Sequence, residues 1–369
     1  MDLSIFTYHF PFFNRFSSAI SSLSHRDGLL LKAWEETTSH WVEVAPLDGF
    51  SRDSLTDCKE WLSRYVTHIP ELLADATGWG EVAGELKGLS APDSLQYGIE
   101  QLWIARSAYN EDVPVYRWLN IEAPSRCAVN KVEGLQDLEA LIDSSDELRL
   151  DKAAVYKIKA SKDPLPVFER LELIAKVRPD LQFRIDPNGS WSVNEAVTYL
   201  NELENSDLTI EYCEQPIQSG DIEGLEYIRS QTSIPIAVDE DAAHPEQLTE
   251  VIEKDAADVI IVKPMRFGSI YRLNRLLAKA RNKGMDIVFT TLLEAGLGRL
   301  QTAHLAAAMG SAHRAHGLDT GALFEKDLWN DRQYFMNSEG GYQFLLPGQP
   351  GLGYPPPEQW QDKLKPLTL

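Results

Sequence analysis

Apolar and polar positions alternate along this chain in two different ways. In the first 120 residues the β-like runs Leu29-Leu30-Leu31 and Trp41-Val42-Glu43-Val44 flank the polar stretch 35–40, a pattern that predicts a hairpin. The apolar opening MDLSIFTYHFPFFNRF carries Asp2 and Pro11 and lacks the basic start of a secretory leader, so it reads as a further strand. Leu55, Trp61, Leu62, Tyr65 and Val66 then recur at helical spacing within a predicted helix over 51–73, and another helix is predicted over 92–105. Hairpin strands followed by helices imply a small α+β domain.

Beyond about residue 125 the pattern becomes periodic. The β-rich runs AVYKIKA, LQFRIDPN, LTIEYCEQP, IPIAVDE, DVIIVKP, DIVFTTL and HRAHGLDT end near Lys159, Asp186, Glu214, Asp239, Lys263, Thr290 and Gly317, which are 24 to 28 residues apart. Helical stretches over 166–177, 193–203, 247–253 and 270–283 lie between them. Parallel strands need crossovers of this kind. With CAVNKVE as an opening strand the count reaches eight, which predicts a (β/α) barrel. No GxGxxG follows an early strand, so an open doubly wound sheet is disfavoured.

Alternate side chains along a strand face opposite sides. In AVYKIKA, Tyr156 and Ile158 then face the outer helices, while Lys157 and Lys159 point into the barrel. The same parity turns Arg184, Asp186 and Asn188 inward, and adds the pairs Tyr212/Glu214, Ala237/Asp239 and Ile261/Lys263. All lie at C-terminal strand ends, where barrel enzymes carry their chemistry.

Asp186, Glu214 and Asp239 come from three successive strands and would repel one another unless a cation neutralised them. An all-oxygen set without His or Cys suits a hard divalent ion, Mg2+ with Mn2+ as a substitute. Lys157 and Lys159 flank this group on one side and Lys263 on the other. Two lysines on one inward face, beside a cation, are expected to depress each other's pKa enough for one to serve as a base. A metal gripping a carboxylate, with a lysine aimed at the adjacent carbon, makes a proton-abstraction site whose enediolate charge the metal stabilises.

Charge narrows the choice of partners. Lys and Arg total 35 against 56 Asp and Glu, a net −21, and the pI is near 4.8, which argues against nucleic acid. No apolar run is long enough to span a membrane. The three scattered cysteines, Cys58, Cys127 and Cys213, make neither a disulfide framework nor a metal site and read as buried small hydrophobes. The expectation is a soluble, cytoplasmic protein, monomer or homo-oligomer, acting on a small molecule.

The ordered series KIK, RIDPNGSW, EQP, VDE and VKP resembles the muconate-lactonising subgroup of the enolase superfamily, over roughly 125–320. Within it, EVAPLDGFSRDSL, TTLLEAGLGRLQTAHLAAA and HGLDTG are similar to the o-succinylbenzoate synthase family of menaquinone biosynthesis. The resemblance implies an α/β fold: a (β/α)7β TIM-like barrel over 121–325, an N-terminal α+β capping domain over 1–120, and a C-terminal tail over 326–369 packing on the cap. It implies a dicarboxylate substrate and Mg2+ on Asp186, Glu214 and Asp239. Lys159 would be the base, tuned by Lys157, and Lys263 would sit opposite and stabilise the enediolate. Arg184 would support the ligands or substrate, and Thr290, Thr291 and Gly317 would line the substrate pocket. The segment 10–25 would be a cap loop over the mouth that helps exclude water, its plainer reading being a hairpin connection. Pro187 stands where a small residue is usual, and Thr290-Thr291-Leu292 where serines are common, so contacts to the succinyl tail are open.

Relatives with the same lysines racemise N-acylamino acids or epimerise dipeptides. A dipeptide epimerase is expected to show Asp-x-Asp on the eighth strand, where HGLDTG has only Asp319. Other features have bland readings: His313 and His316 as solvent or packing residues, His304 as structural, and Tyr354 to Pro357 as an irregular tail. Gly296 and Gly298 are either turn glycines or a helix start offering N–H groups to a carboxylate.

Overall fold

The computed structural model describes residues 1–17, 22–35, 38–133, 151–160, 162–327, 329, 331–338, 341–353 and 364–367. The chain opens with three antiparallel strands, β1 (Asp2–Ser17), β2 (Ser22–Glu35) and β3 (Thr38–Val44). The segment expected as a loop over 10–25 is therefore mostly hairpin strand, with Phe10 opposite Arg26 and Pro11 opposite His25, and only 18–21 lie outside the described residues. Tyr8, Phe10 and Phe12 alternate onto the buried face of β1.

Helices α1 (Leu55–Tyr65), α2 (Ile69–Asp75), α3 (Trp79–Gly88), α4 (Asp93–Asn110) and α5 (Val115–Leu119) follow. The single helix expected over 51–73 is two. The first starts at a capping box between Ser54 and Asp57 and the second at Pro70, whose missing N–H and fixed φ suit a helix start rather than its middle. Helix α4 lies directly on β3, and Gly98 makes this possible, since a Cβ there would overlap Cγ2 of Val44.

The run CAVNKVE also divides. Strand β4 (Arg126–Ala128) and β5 (Lys131–Glu133) belong to different sheets. Strand β5 begins a parallel sheet continued by β6 (Val155–Lys159), β7 (Gln182–Asp186), β8 (Ile210–Glu214), β9 (Ile236–Val238), β10 (Val259–Val262) and β11 (Asp286–Phe289), seven strands in chain order. The crossovers carry α6 (Leu165–Val177), α7 (Val193–Glu204), α8 (Ile222–Gln231), α9 (Pro245–Lys254), α10 (Pro264–Phe267) and α11 (Ile270–Asn282), and β11 leads into α12 (Gly296–Met309).

The expected eighth strand is reduced to a two-residue seam. Val129 pairs with His316, Asn130 N–H, just before β5, donates to His316 O at 3.1 Å, and Gly317 N–H donates to Phe289 O at 2.9 Å, so this segment joins both ends of the sheet and closes it into a barrel. Strands β12 (Phe335–Ser338) and β13 (Gly341–Leu345) pair with β4, and the short β14 (Lys365–Pro366) adds to the edge of β1.

Burial separates the two faces of the barrel sheet. Tyr156, Ile158, Phe183 and Ile185 join the large core beneath the helices, whereas Tyr212, Ala237, Val259, Ile261 and Val288 form a second, separate cluster. Their inward parity makes this cluster the filling of the barrel, beneath the polar residues one step further along each strand.

Candidate active site

Asp186, Glu214, Asp239 and Lys263 each lie two residues beyond a buried inward neighbour, Arg184, Tyr212, Ala237 and Ile261 respectively. The parallel register sets Lys157 beside Arg184 and Lys159 beside Asp186. Lys157 Nζ lies between two carboxylates, 2.8 Å from Asp186 and 2.6 Å from Glu214. Lys159 Nζ donates to Asp186 at 2.6 Å and to Oδ1 of Asn188 at 2.8 Å. Across the mouth, Lys263 Nζ donates to Asp239, and Arg266 stands 4.0 Å from the same carboxylate. The three acids are buried, whereas the Lys159 side chain is 46% exposed and so opens to the mouth.

The electrostatics correct one expectation. Burial alone would lower the Lys157 ammonium, but Asp186 and Glu214 outweigh it and hold the pKa well above the ordinary lysine value. The mutual depression expected of Lys157 and Lys159 is overridden at Lys157 by two carboxylates in direct contact. Burial likewise raises the Asp186 carboxyl, and the two lysines more than reverse it, leaving it well below the usual range. Glu214 goes the other way. Burial and repulsion from Asp186 and Asp239 lift it despite Lys157.

That imbalance tests whether a divalent cation fits. Glu214 is buried beside Asp186 and Asp239 with Lys157 at 2.6 Å, and burial together with the repulsion of those two acids raises its pKa. Glu240 adds a fourth acid: burial and Asp239 beside it push its pKa to about 7, and its Oε2 is buried with no partner. A hard cation with oxygen ligands matches the donor set of Asp186, Glu214 and Asp239.

The remaining expected residues lie elsewhere. Arg184 is 1% exposed and sits one layer below the acids, pairing with Glu211, donating to Asn130 Oδ1 at 3.0 Å and Ala315 O at 2.8 Å, and stacking over Tyr212. It ties β7 to β8 and to the closing seam. Thr290, Thr291 and Gly317 are together at that seam. The hydroxyls of Thr290 and Thr291 are 3.2 and 3.4 Å from Gly317 O, and Thr291 also meets the Thr320 hydroxyl at 3.1 Å.

Gly296 and Gly298 begin α12, and their N–H groups do bind carboxylates, but the protein's own. Gly298 donates to Glu43 at 2.8 Å and Gly296 to Asp327 at 2.9 Å. His304 and His316 are buried and accept from the backbone N–H of Tyr116 and Phe289, and exposed His313 pairs with Asp286.

Sequence reasoning passed over Gln215 as a positioning residue. Its carbonyl accepts from Asp239 N–H at 3.1 Å, and its amide donates to Asp241 at 2.7 Å, so it braces the turn that carries Asp239. The signal was its place in EQP immediately after Glu214, at a left-handed φ of 43° that turns the chain sharply.

Comparison with known proteins places this geometry. The family model described as enolase C-terminal domain-like matches residues 141–360. The L-Ala-D/L-Glu epimerase of Bacillus subtilis is 25% identical over 357 residues, 93% of each chain, and the structure of its substrate-liganded complex superposes with a TM-score of 0.84, at 23% identity, covering 96% of this chain and 98% of that one. The o-succinylbenzoate synthase of Yersinia pseudotuberculosis is 29% identical over 315 residues, 84% of this chain and 88% of its own. The dipeptide epimerase of Enterococcus faecalis complexed with Mg and dipeptide L-Leu-L-Tyr superposes with a TM-score of 0.79, at 20% identity, covering 95% of this chain and 98% of that one. A closed parallel barrel with acids on three successive strands, matched by that family model over most of its length, makes the chain a member of the enolase superfamily.

Proposed function

We propose that this enzyme of the enolase superfamily catalyses the syn-dehydration of 2-succinyl-6-hydroxy-2,4-cyclohexadiene-1-carboxylate to 2-succinylbenzoate. Asp186, Glu214 and Asp239 would hold Mg2+, which when bound would neutralise the charge developing on the substrate carboxylate. Lys159, the lysine open to the mouth, takes the ring proton next to that carboxylate and then gives it to the departing hydroxyl, which leaves as water. Lys157 keeps its proton between Asp186 and Glu214 and holds both in place. Lys263, on the opposite side, stabilises the negative charge that builds up between the two proton transfers. Arg184 acts beneath the site as a support for the strands, not on the substrate.

The observation that carries this reading is Gly317. An Asp-x-Asp ending at Asp319 would put its first acid at this position, but a Cβ there would overlap the Thr290 hydroxyl. Asp319 itself accepts from Tyr342 at 2.6 Å and pairs with Arg332 at 3.3 Å. A seam without a free acid pair suits a substrate without an ammonium group.

Dipeptide epimerisation is the second reading, and the span of likeness to the Bacillus subtilis epimerase favours it. The deciding experiment follows aromatisation of the cyclohexadiene substrate in the ultraviolet, with Mg2+ and then with EDTA, alongside L-Ala-L-Glu in deuterated water. Fast, EDTA-sensitive aromatisation establishes the dehydration. Deuterium exchange into the dipeptide without aromatisation replaces it with epimerisation.

A further inference from the structure

Outside the barrel, the capping hairpin carries a second set of metal-ligating side chains. His9 on β1 is directly opposite Asp27 on β2, and His25 is two residues away on the same face. His9 Nδ1 is 2.7 Å from Asp27 Oδ1, His25 Nε2 is 3.2 Å from Asp27 Oδ2, and the two imidazole rings lie 4.2 Å apart. Both rings thus converge on one carboxylate, and one ligand atom from each residue lies within 4.8 Å of the others.

We propose that His9, His25 and Asp27 bind one borderline transition-metal ion of the Zn2+ or Cu2+ class, independently of the site in the barrel. Two imidazoles and one carboxylate are a donor set for such ions and a poor one for Mg2+, which takes oxygen ligands. A tetrahedral ion with bonds of about 2.0–2.2 Å needs donors roughly 3.3 Å apart, a closure these partly exposed side chains reach by χ rotation, with water in the fourth position.

The backbone beneath is already ordered. On the opposite face Arg26 donates to Pro46 O at 2.7 Å and to Leu293 O at 3.0 Å, anchoring β2 to the loop that follows β11. Phe12, further along β1, packs edge-on against Phe324. An ion at His9, His25 and Asp27 therefore clamps β1 to β2 where the hairpin approaches the barrel mouth.

The test uses the full-length, tag-free chain, stripped of metal and then held in excess Mg2+ so that the barrel acids are occupied. Calorimetry with Zn2+ is expected to show one ion per chain, weakened at least tenfold by His9→Ala and by His25→Ala. Electron paramagnetic resonance of one equivalent of Cu2+ is expected to show coupling to imidazole nitrogen, lost in His9→Gln/His25→Gln and kept in Asp186→Asn. Circular dichroism confirms that each variant is folded. Zn2+ affinity indifferent to both histidines, a nitrogen signal that disappears in Asp186→Asn instead, or no Zn2+ binding at 100 μM would each overturn the proposal.

Discussion

Gly317 and Thr290 meet across the closing seam of the barrel, with so little room that a Cβ added to Gly317 would overlap Oγ1 of Thr290 and come within 2.9 Å of its Cβ. The backbones are tied at the same point, Thr291 N–H donating to Gly317 O at 3.0 Å, and the Thr290 hydroxyl donates to the same oxygen at 3.2 Å. A side chain at 317 has to displace Thr290 or open the seam. Gly317→Ala is expected to cost about 1–3 kcal/mol, the usual range for overpacking. Thr290→Ala removes the nearest atom, so the double variant is expected to lose less than the sum of the two single ones. Urea unfolding checks this, and strict additivity would show that the contact does not govern the position.

Lys159 and Lys263 are each expected to be indispensable to turnover but not to folding. Lys159→Ala still leaves Asp186 paired with Lys157 at 2.8 Å. Replacing either lysine is expected to lower kcat by about two to four orders of magnitude, the span of general acid–base effects, with an unchanged circular dichroism spectrum. An active Lys159→Ala protein would refute its assignment as the base.

Asp239 is buried, paired with Lys263 and braced by Gln215. Asp239→Asn keeps the shape and removes the charge, so Mg2+ affinity is expected to fall about tenfold or more. Calorimetric titration with Mg2+ reads this directly, and an unchanged affinity would remove Asp239 from the ligand set.

Glu43 joins the cap to the barrel. Its carboxylate accepts from Tyr8 OH at 2.6 Å and from the N–H groups of Ala295 and Gly298, both at 2.8 Å, at the start of α12. Glu43→Ala leaves two buried amides without their acceptor, and a loss of about 3–5 kcal/mol is expected. Denaturant unfolding of this variant should also show whether the cap and barrel still melt in one transition.

Glu294 lies beside that junction, buried, with Oε1 unpartnered. Burial first, and repulsion from Glu43 in addition, push its pKa from 4.5 to about 7. A carboxyl raised on folding favours the folded state when protonated. Its contribution is therefore full below pH 4.5 and is lost as pH rises through about 7. Glu294→Gln is expected to remove that dependence, making the variant more stable than the parent at pH 8 by up to about 3 kcal/mol. Parallel wild-type and variant stability curves between pH 5 and 8 would count against it.

The periodic strand ends made the barrel legible in the sequence, because parity and a regular repeat are local properties of a strand and its crossover. The same arithmetic put Lys157, Lys159, Asp186, Glu214, Asp239 and Lys263 at one end of the sheet. Individual elements were less legible where neighbours decide them. CAVNKVE divides between two sheets because β13 captures Arg126–Ala128 while β6 pairs with Lys131–Glu133. HRAHGLDT shrinks to a seam because both barrel edges need only His316 and Gly317 to close.

Sequence alone determined which residue types stand at each strand end and on which face, since φ/ψ alternation is intrinsic to the extended chain. Only the tertiary structure decided what those groups touch. It spent the α12 N–H groups on Glu43 and Asp327 rather than on a ligand, and it turned Arg184 from a pocket residue into a brace. It also raised the Lys157 pKa, through Asp186 and Glu214, where neighbouring cations alone would lower it. Charge state and contact depend on distances between groups far apart in the chain, 57 residues for Lys157 and Glu214 and 255 for Glu43 and Gly298, and burial sets the strength of those interactions after the barrel has closed.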